Sequence, residues 1–297
     1  MLSRSTFGLT FRESRTMKNK LGLGALEMQV QQRHWAARLL LVSTIWACSG
    51  PAVLAQEAIG ADPTLPFYAR EGGSLRLGAS TRADTSGDKR LGLALMPSVE
   101  YHWANGWMIG TDRGVAYNFS KEPGVQYGLG LGADLGRRAT STGELAGMGG
   151  IDAQLEYTGF AMVELQHDWR VLSALRYGAG DNQQGAVLEL GVNYSLDVAP
   201  RWRAGLNLGA KLANQNHMQT YWGVSSSQSA SSGHAVYTPS GGLSELNAGV
   251  NLNHQITPRV SVSTGVNAIS LQGAARNSPL VTKPDSLMGT VSIGYSF

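Results

Sequence analysis

Apolar and polar residues alternate along most of the chain after about residue 75. In the most regular stretch, 125–136, Val, Tyr, Leu and Ala occupy one parity, whereas Gln, Gly and Asp occupy the other. A period of two residues is typical of a β-strand with one apolar and one polar face. The pattern predicts eleven strands, at residues 75–80, 91–103, 107–119, 125–136, 155–166, 170–178, 187–196, 202–213, 246–253, 260–271 and 287–297.

The last of these strands ends the chain on an aromatic residue, Phe297. In a soluble domain a terminal strand of this kind would leave an apolar edge that promotes aggregation. In a transmembrane barrel it pairs with the first strand, so that no edge remains. Most of the other strands are also long enough for a tilted crossing, which takes roughly 9–11 residues. The predicted fold class is therefore all-β, a transmembrane, antiparallel, up-and-down β-barrel.

A bacterial barrel with both termini in the periplasm has an even number of strands, so eleven cannot be the true number. We expect twelve strands rather than ten. The missing strand is expected either in the weak region before Leu91 or within residues 137–155. Arg113 is an exception to the alternation, because it falls on the apolar parity of its strand; a β-bulge near Gly110 or Gly114 would explain it.

The two faces of the predicted strands differ in chemistry. One face is continuously apolar, and its aromatic residues lie near the strand ends, where a membrane-interface girdle requires them. The other face carries many charged and amide side chains, which a water-filled lumen accepts and a dry sandwich core does not. A soluble β-sandwich would also show alternation, but it explains these two faces less well. The aromatic residues near strand ends are Tyr101, Trp103, Trp107, Tyr117, Phe119, Trp202, Tyr295 and Phe297.

The first 55 residues have the features of an export leader. Arg33 and Arg38 precede an apolar run over residues 39–47, and the small-residue sequence Ala-Val-Leu-Ala follows at 52–55. This order is typical of a cleaved signal peptide, with cleavage between Ala55 and Gln56. Residues 1–55 are therefore predicted to be an N-terminal extension and cleaved signal peptide, and residues 56–297 an outer-membrane β-barrel domain.

The net charge of +3 is a property of this leader. Removing residues 1–55 takes away seven of the 24 basic residues and two of the 21 acidic residues, which leaves a net charge near −2. The remaining chain has no Lys/Arg-rich patch, so nucleic-acid binding is not expected. The single cysteine, Cys48, also lies in the leader; a lipoprotein cysteine is a less favoured interpretation because Trp46 does not fit such a site.

No sequence motif for catalysis, metal binding or cofactor binding stands out. Of the five histidines after the leader, none is paired with another His or a Cys at metal-ligand spacing. The Gly-rich stretch 128–136 lacks the lysine and the helix of a phosphate-binding loop. We therefore predict a protein that is not an enzyme and that needs no cofactor.

The longest irregular stretch, 214–242, contains the only candidate contact residues. Tyr221, Trp222, Tyr237 and Pro239 lie among Ser and Gly residues in a predicted loop. Their side chains either pack this loop onto the rim or into the lumen of the barrel, or they form a contact surface for a partner, because exposed aromatics make good anchors.

Several short motifs in the last part of the chain resemble the MipA/OmpV family of outer-membrane proteins. They are Tyr-Trp-Gly-Val at 221–224, Tyr-Thr-Pro at 237–239, Gly-Leu at 242–243, Ser-Pro-Leu-Val at 278–281 and the terminal Tyr-Ser-Phe at 295–297. The usual family pattern has Phe at the position of Trp222. The segment 107–119 is also similar to an early hairpin of that family.

This resemblance implies a non-enzymatic outer-membrane barrel that contacts membrane lipid. Some members are described as scaffolds that join a murein-cleaving lytic transglycosylase to a penicillin-binding protein, and the same role is the expectation here. Other members are described as osmolarity-responsive proteins or adhesins. The alternatives are an adhesin or a small-solute pore, since a lumen of 10–12 strands could conduct.

Overall fold

The computed structural model describes residues 71–82, 92–111, 113–137, 143–166, 168–178 and 185–297. The predicted leader, 1–55, lies outside these residues and stays a prediction. The described residues form twelve antiparallel strands that close into one barrel. The strands are β1 (Gly72–Arg82), β2 (Gly92–His102), β3 (Trp107–Gly110), β4 (Gly114–Asn118), β5 (Val125–Asp134), β6 (Gln154–Gln166), β7 (Trp169–Tyr177), β8 (Ala186–Ala199), β9 (Trp202–Ala213), β10 (Gly242–Gln255), β11 (Val260–Leu271) and β12 (Asp285–Ser296).

Each strand pairs with its neighbours in sequence, and β12 returns to β1 with Ser74 opposite Ser296 and Ser80 opposite Thr290. The predicted up-and-down barrel and its twelve strands are therefore confirmed. The prediction of where the missing strand lies is wrong. Residues 107–119 form two short strands, β3 and β4, whereas the described part of the segment between β5 and β6 contributes only one isolated bridge, Arg137 with Ile151.

Gly114 explains why residues 107–119 form two strands. It follows the turn at 111–113 and pairs with Gly110 across the β3–β4 hairpin. Its φ is +67°, and a Cβ added to it would lie 2.2 Å from the carbonyl oxygen of Leu131, so a residue with a side chain does not fit. Arg113 lies in the turn itself, so its unusual parity reflects a change of strand rather than the predicted bulge.

The outer surface of the barrel is apolar. Its side chains include Leu93, Leu129, Leu208 and Leu287, which are 74%, 62%, 63% and 66% exposed. A water-soluble β-sandwich would bury this parity, so the closed barrel with its apolar exterior excludes that alternative. The inward parity carries most of the charged and amide side chains, as predicted.

The two ends of the barrel differ. At one end the start of β1 and the end of β12 lie beside turns of at most six residues, and all eight aromatics predicted near strand ends are found there. Seven of these rings contact another of the eight, with Trp107 and Tyr117 centroids 5.2 Å apart and Tyr101 and Trp103 centroids 4.8 Å apart, whereas Trp202 stacks on His254. Short turns are typical of the periplasmic end of an outer-membrane barrel, and aromatic girdles mark the membrane interface.

At the opposite, long-loop end the described residues form three helices, α1 (Gln215–Trp222), α2 (Ser226–Ser232) and α3 (Gly273–Arg276). The first two lie between β9 and β10, and the third follows β11. None of the helices within the described ranges is long and apolar enough to cross a membrane.

The apolar exterior leads to a stability prediction for Leu208, which lies near the middle of β9 on the outer face. Leu208→Arg is expected to destabilise the barrel by about 2–4 kcal/mol, because a cation at the bilayer midplane is poorly solvated. Leu208→Met is the control and should change little. Urea unfolding of both variants in lipid bilayers would measure the difference; equal stability of the two would contradict a lipid-facing position.

Candidate functional site

The long-loop end of the barrel is covered by a packed structure that we call the cap. It consists of residues 143–151 from the β5–β6 connection, residues 214–241 with α1 and α2, and residues 272–284 with α3. Two of its helices, α1 and α2, begin at residues suited to that position. The side chain of Asn214 accepts a hydrogen bond from the His217 amide at 3.0 Å, and Ser225 forms a reciprocal capping box with Gln228.

One face of α1 is held by an apolar cluster at the rim. Met218 is completely buried against Val187 at the start of β8, Ala213 at the end of β9 and Ala275 of α3. Trp222 packs against the same cluster. Because the cluster joins two strands and a second loop, α1 is anchored over the mouth of the barrel rather than projecting from it.

A polar contact connects α1 to the lumen. The hydroxyl group of Tyr221 donates a short hydrogen bond to a carboxylate oxygen of Asp134, on the luminal face of β5. The guanidinium group of Arg137 donates to the carbonyl oxygen of Tyr221 at 3.3 Å. Burial and the nearby Asp134 carboxylate raise the pKa of Tyr221 well above its ordinary value, so this hydroxyl remains a donor.

Charged side chains line the lumen near this contact. Arg176 of β7 bridges two carboxylates, with its Nη atoms 3.2 Å from Glu156 and 2.9 Å from Glu189. Lys211 of β9 pairs with Glu245 of β10 at 3.3 Å. Each pair compensates charges that would be costly to bury singly.

His217 lies on α1 between these groups, and its ring is 4.6 Å from that of Tyr221. Burial, together with the cations of Arg176 and Lys211, lowers the pKa of His217 from 6.5 to about 4, although Asp134 opposes the shift. The imidazole is therefore neutral at physiological pH.

A second apolar cluster holds the rest of the cap together. Met148, Val224 and Leu280 come from three different loops, and each is at most 3% exposed. Tyr237 packs against this cluster, pairs with Val224 through two backbone hydrogen bonds of 2.9 Å, and donates from its hydroxyl to the Ala274 carbonyl at 2.8 Å.

The four residues singled out from the sequence thus occupy the cap. Tyr221, Trp222 and Tyr237 are half-buried, and Pro239 is less than 2% exposed. All three aromatic side chains make contacts within the chain, as expected if they pack the loop onto the barrel. A contact of these residues with a partner stays a prediction. Sequence reasoning missed Asp134, Arg176 and Met218, although the first two have the inward parity of regular strands.

Removing the Tyr221 hydroxyl is expected to loosen the cap. Tyr221→Phe leaves a partly buried Asp134 oxygen without its donor, which should weaken the docking of α1 by about 1–3 kcal/mol. Hydrogen exchange of the α1 amides should accelerate, while exchange of strand amides should not. Tyr157→Phe, on the outer face of β6, is the control. Unchanged exchange in α1 of Tyr221→Phe would show that the hydroxyl does not hold the helix.

Acid is also expected to release α1. Since the pKa of His217 is lower in the docked state than in a solvated helix, docking is fully stable above pH 6.5 and weakens as the pH falls, down to about pH 4. Complete protonation would cost up to about 3 kcal/mol.

His217→Gln should remove this part of the pH dependence, whereas His234→Gln, elsewhere in the same loop, should keep it. Hydrogen exchange of α1 between pH 7 and pH 4 measures both. Protonation of luminal carboxylates is common to all variants, so the difference between the variants is the informative quantity. Parallel profiles for His217→Gln and the wild type would contradict the prediction.

The family model described as MltA-interacting protein MipA matches residues 75–297. Among solved structures the chain is similar to the NanC porin, with 10% identity, a TM-score of 0.45, and coverage of 74% of this chain and 98% of that chain. It is also similar to the KdgM porin, with 10% identity, a TM-score of 0.42, and coverage of 75% and 99%.

A third similar structure is the outer membrane channel DcaP of Acinetobacter baumannii, with 10% identity, a TM-score of 0.40, and coverage of 77% and 96%. No curated protein matches the sequence. The family match extends from within β1 to the last residue and so includes every described strand of the barrel. The chain therefore belongs to the MipA family, and it is an outer-membrane β-barrel.

Proposed function

We propose that this barrel is a non-enzymatic interaction protein of the outer membrane, a scaffold for enzymes that remodel murein. The structural observation that carries the proposal is the cap. A mouth covered by two buried apolar clusters, with α1 hydrogen-bonded to the luminal wall, favours a protein that acts through its surfaces rather than as an open conduit. The family description, which names an interaction with MltA, supports a murein transglycosylase as one partner; a penicillin-binding protein is the second expected partner.

The topology of the barrel suggests which end such a partner would meet. Murein lies in the periplasm, and the short turns, with the start of β1 and the end of β12, are at the periplasmic end if the barrel follows the usual arrangement. The exposed turn residues there include Lys121 and Arg259. The cap, with Tyr221, Trp222, Tyr237 and Pro239, would then face outward, where its partner would be extracellular, as for an adhesin.

Affinity capture of murein enzymes from envelope extract tests this arrangement. Full-length protein in detergent is expected to retain a lytic transglycosylase, and a charge reversal of the turns, Lys121→Glu with Arg259→Glu, is expected to reduce retention by tenfold or more, about 1.4 kcal/mol. Val236→Glu, on the exposed cap surface, is the matched control and should bind normally.

Two results would argue against the scaffold. The first is that no murein enzyme is retained by the wild type. The second is stable ohmic conductance of the wild type in planar bilayers, which would favour the small-solute pore. Loss of binding in Val236→Glu alone would instead assign the contact to the cap.

A further inference from the structure

Asparagine side chains line one sector of the lumen, on the inward face of four neighbouring strands, β8 to β11. The sector lies between two charge pairs. Toward the cap, Lys211 is 3.3 Å from Glu245, and toward the short-turn end, Arg203 is 2.8 Å from Asp197. The inward positions between these pairs carry no charged residue. We call this surface the amide sector, and its asparagines are Asn193, Asn207, Asn247, Asn251 and Asn267.

Glycines on the adjacent strands allow these side chains to lie flat along the wall. Gly249 of β10 pairs with Asn207 of β9 on one side and with Asn267 of β11 on the other. A Cβ added to Gly249 would lie 2.6 Å from the Asn267 Oδ1 atom and 2.7 Å from the Asn207 Oδ1 atom. The two amides meet over this glycine, where Asn207 donates to Asn267 at 3.3 Å.

The same arrangement recurs one step toward the cap. Gly209 of β9 pairs with Asn247 of β10, and a Cβ on this glycine would lie 2.7 Å from both terminal atoms of the amide. The asparagines therefore cover neighbouring backbone instead of extending across the lumen. The result is a polar surface without projecting side chains.

The amide sector has hydrogen-bonding capacity that the described residues do not use. Both terminal atoms of Asn193 and the amide nitrogens of Asn251 and Asn267 are buried without a hydrogen-bond partner among these residues. Asn193 and Asn267 are each 7% exposed. Because buried polar groups in proteins are normally paired, these amides are suited to a polar molecule that binds in the lumen.

The chemistry of the sector favours an uncharged ligand with several hydroxyl groups. Each amide offers a donor and an acceptor, and a hydroxyl group likewise donates and accepts. Inward positions are roughly 5 Å apart across strands and roughly 7 Å apart along them, so one small molecule can contact several amides. The charged residues at both borders already have counterions, which leaves no free charge to fix an ionic ligand.

We propose that the amide sector is a luminal binding site for an uncharged carbohydrate of about one sugar ring. The sugar hydroxyls would hydrogen-bond to Asn193, Asn207 and Asn267, and the ligand would enter from the short-turn end, opposite the cap. This site is separate from the turns proposed to meet a murein enzyme, so it does not depend on the scaffold function.

Nuclear magnetic resonance of the asparagine side-chain amides tests the site. Full-length protein in detergent micelles is titrated with glucose, with glucosamine as the cationic analogue and glucuronate as the anionic one. Glucose should shift the amide resonances of Asn207 and Asn267 in a saturable manner. Glucosamine and glucuronate should bind severalfold more weakly, because burying their charge without a partner is costly.

A matched pair of glycine variants tests whether the amides bind the sugar. Gly249→Ala should weaken glucose binding by about tenfold, because the new methyl group displaces Asn207 and Asn267 together. Gly159→Ala, on the outer face of β6, is the control and should bind like the wild type, since the nearest atom to its added Cβ is 3.7 Å away. Resistance of the unheated barrel to unfolding in SDS verifies that both variants are folded.

Asn207→Leu gives a second measurement, because it removes an amide and leaves Gly249 intact. It should also weaken glucose binding severalfold. Three results would overturn the proposal. Glucose could leave all amide resonances of the sector unchanged, which would mean that the amides bind only water. Folded Gly249→Ala and Asn207→Leu could both bind glucose as the wild type does, which would place the sugar elsewhere. Tighter binding of glucosamine or glucuronate than of glucose would assign recognition to the charged residues.

Discussion

The constraint on which this structure depends is that backbone N–H and C=O groups in hydrocarbon must be paired within the protein. The barrel meets it by joining its last strand to its first. The Gly73 amide donates to the Phe297 carbonyl at 2.9 Å, and the Phe297 amide donates to the Gly73 carbonyl at 3.0 Å. A Cβ on Gly73 would lie 2.6 Å from the Phe297 ring, so the glycine allows the terminal aromatic to lie across the seam. Closure explains why the chain can end on a strand without exposing an edge.

In the closed barrel, outward side chains face lipid and inward side chains face the lumen. Outward positions can be apolar because they meet lipid, and inward positions can carry ions where a counterion lies close, as Arg176 lies close to Glu156 and Glu189. This division also makes the cap possible. A luminal carboxylate, Asp134, is available to bind Tyr221 only because the inward face of β5 is otherwise glycine and glutamine, which leaves space beside it.

The alternation of residues was sufficient to predict the barrel but not the position of the β3–β4 hairpin. Trp107 and Ile109 of β3 have the same parity as Val115 and Tyr117 of β4, so the alternation of apolar residues continues across the three-residue turn between them. Only Arg113 disagreed with the pattern. The helices of the cap could not be predicted in the same way, because α2 is almost entirely serine and has no buried residue. The burial of Met218 depends on Ala275, which is distant in sequence and arrives on another loop.

The short β3–β4 hairpin affects the pairing of the two strands beside it. The turn at Gly114 ends β3 and β4 early, so that among the described residues the upper parts of β2 and β5 have no common neighbour. In a membrane this would be costly if every edge group needed a protein partner, and Pro97 reduces the number of such groups by one.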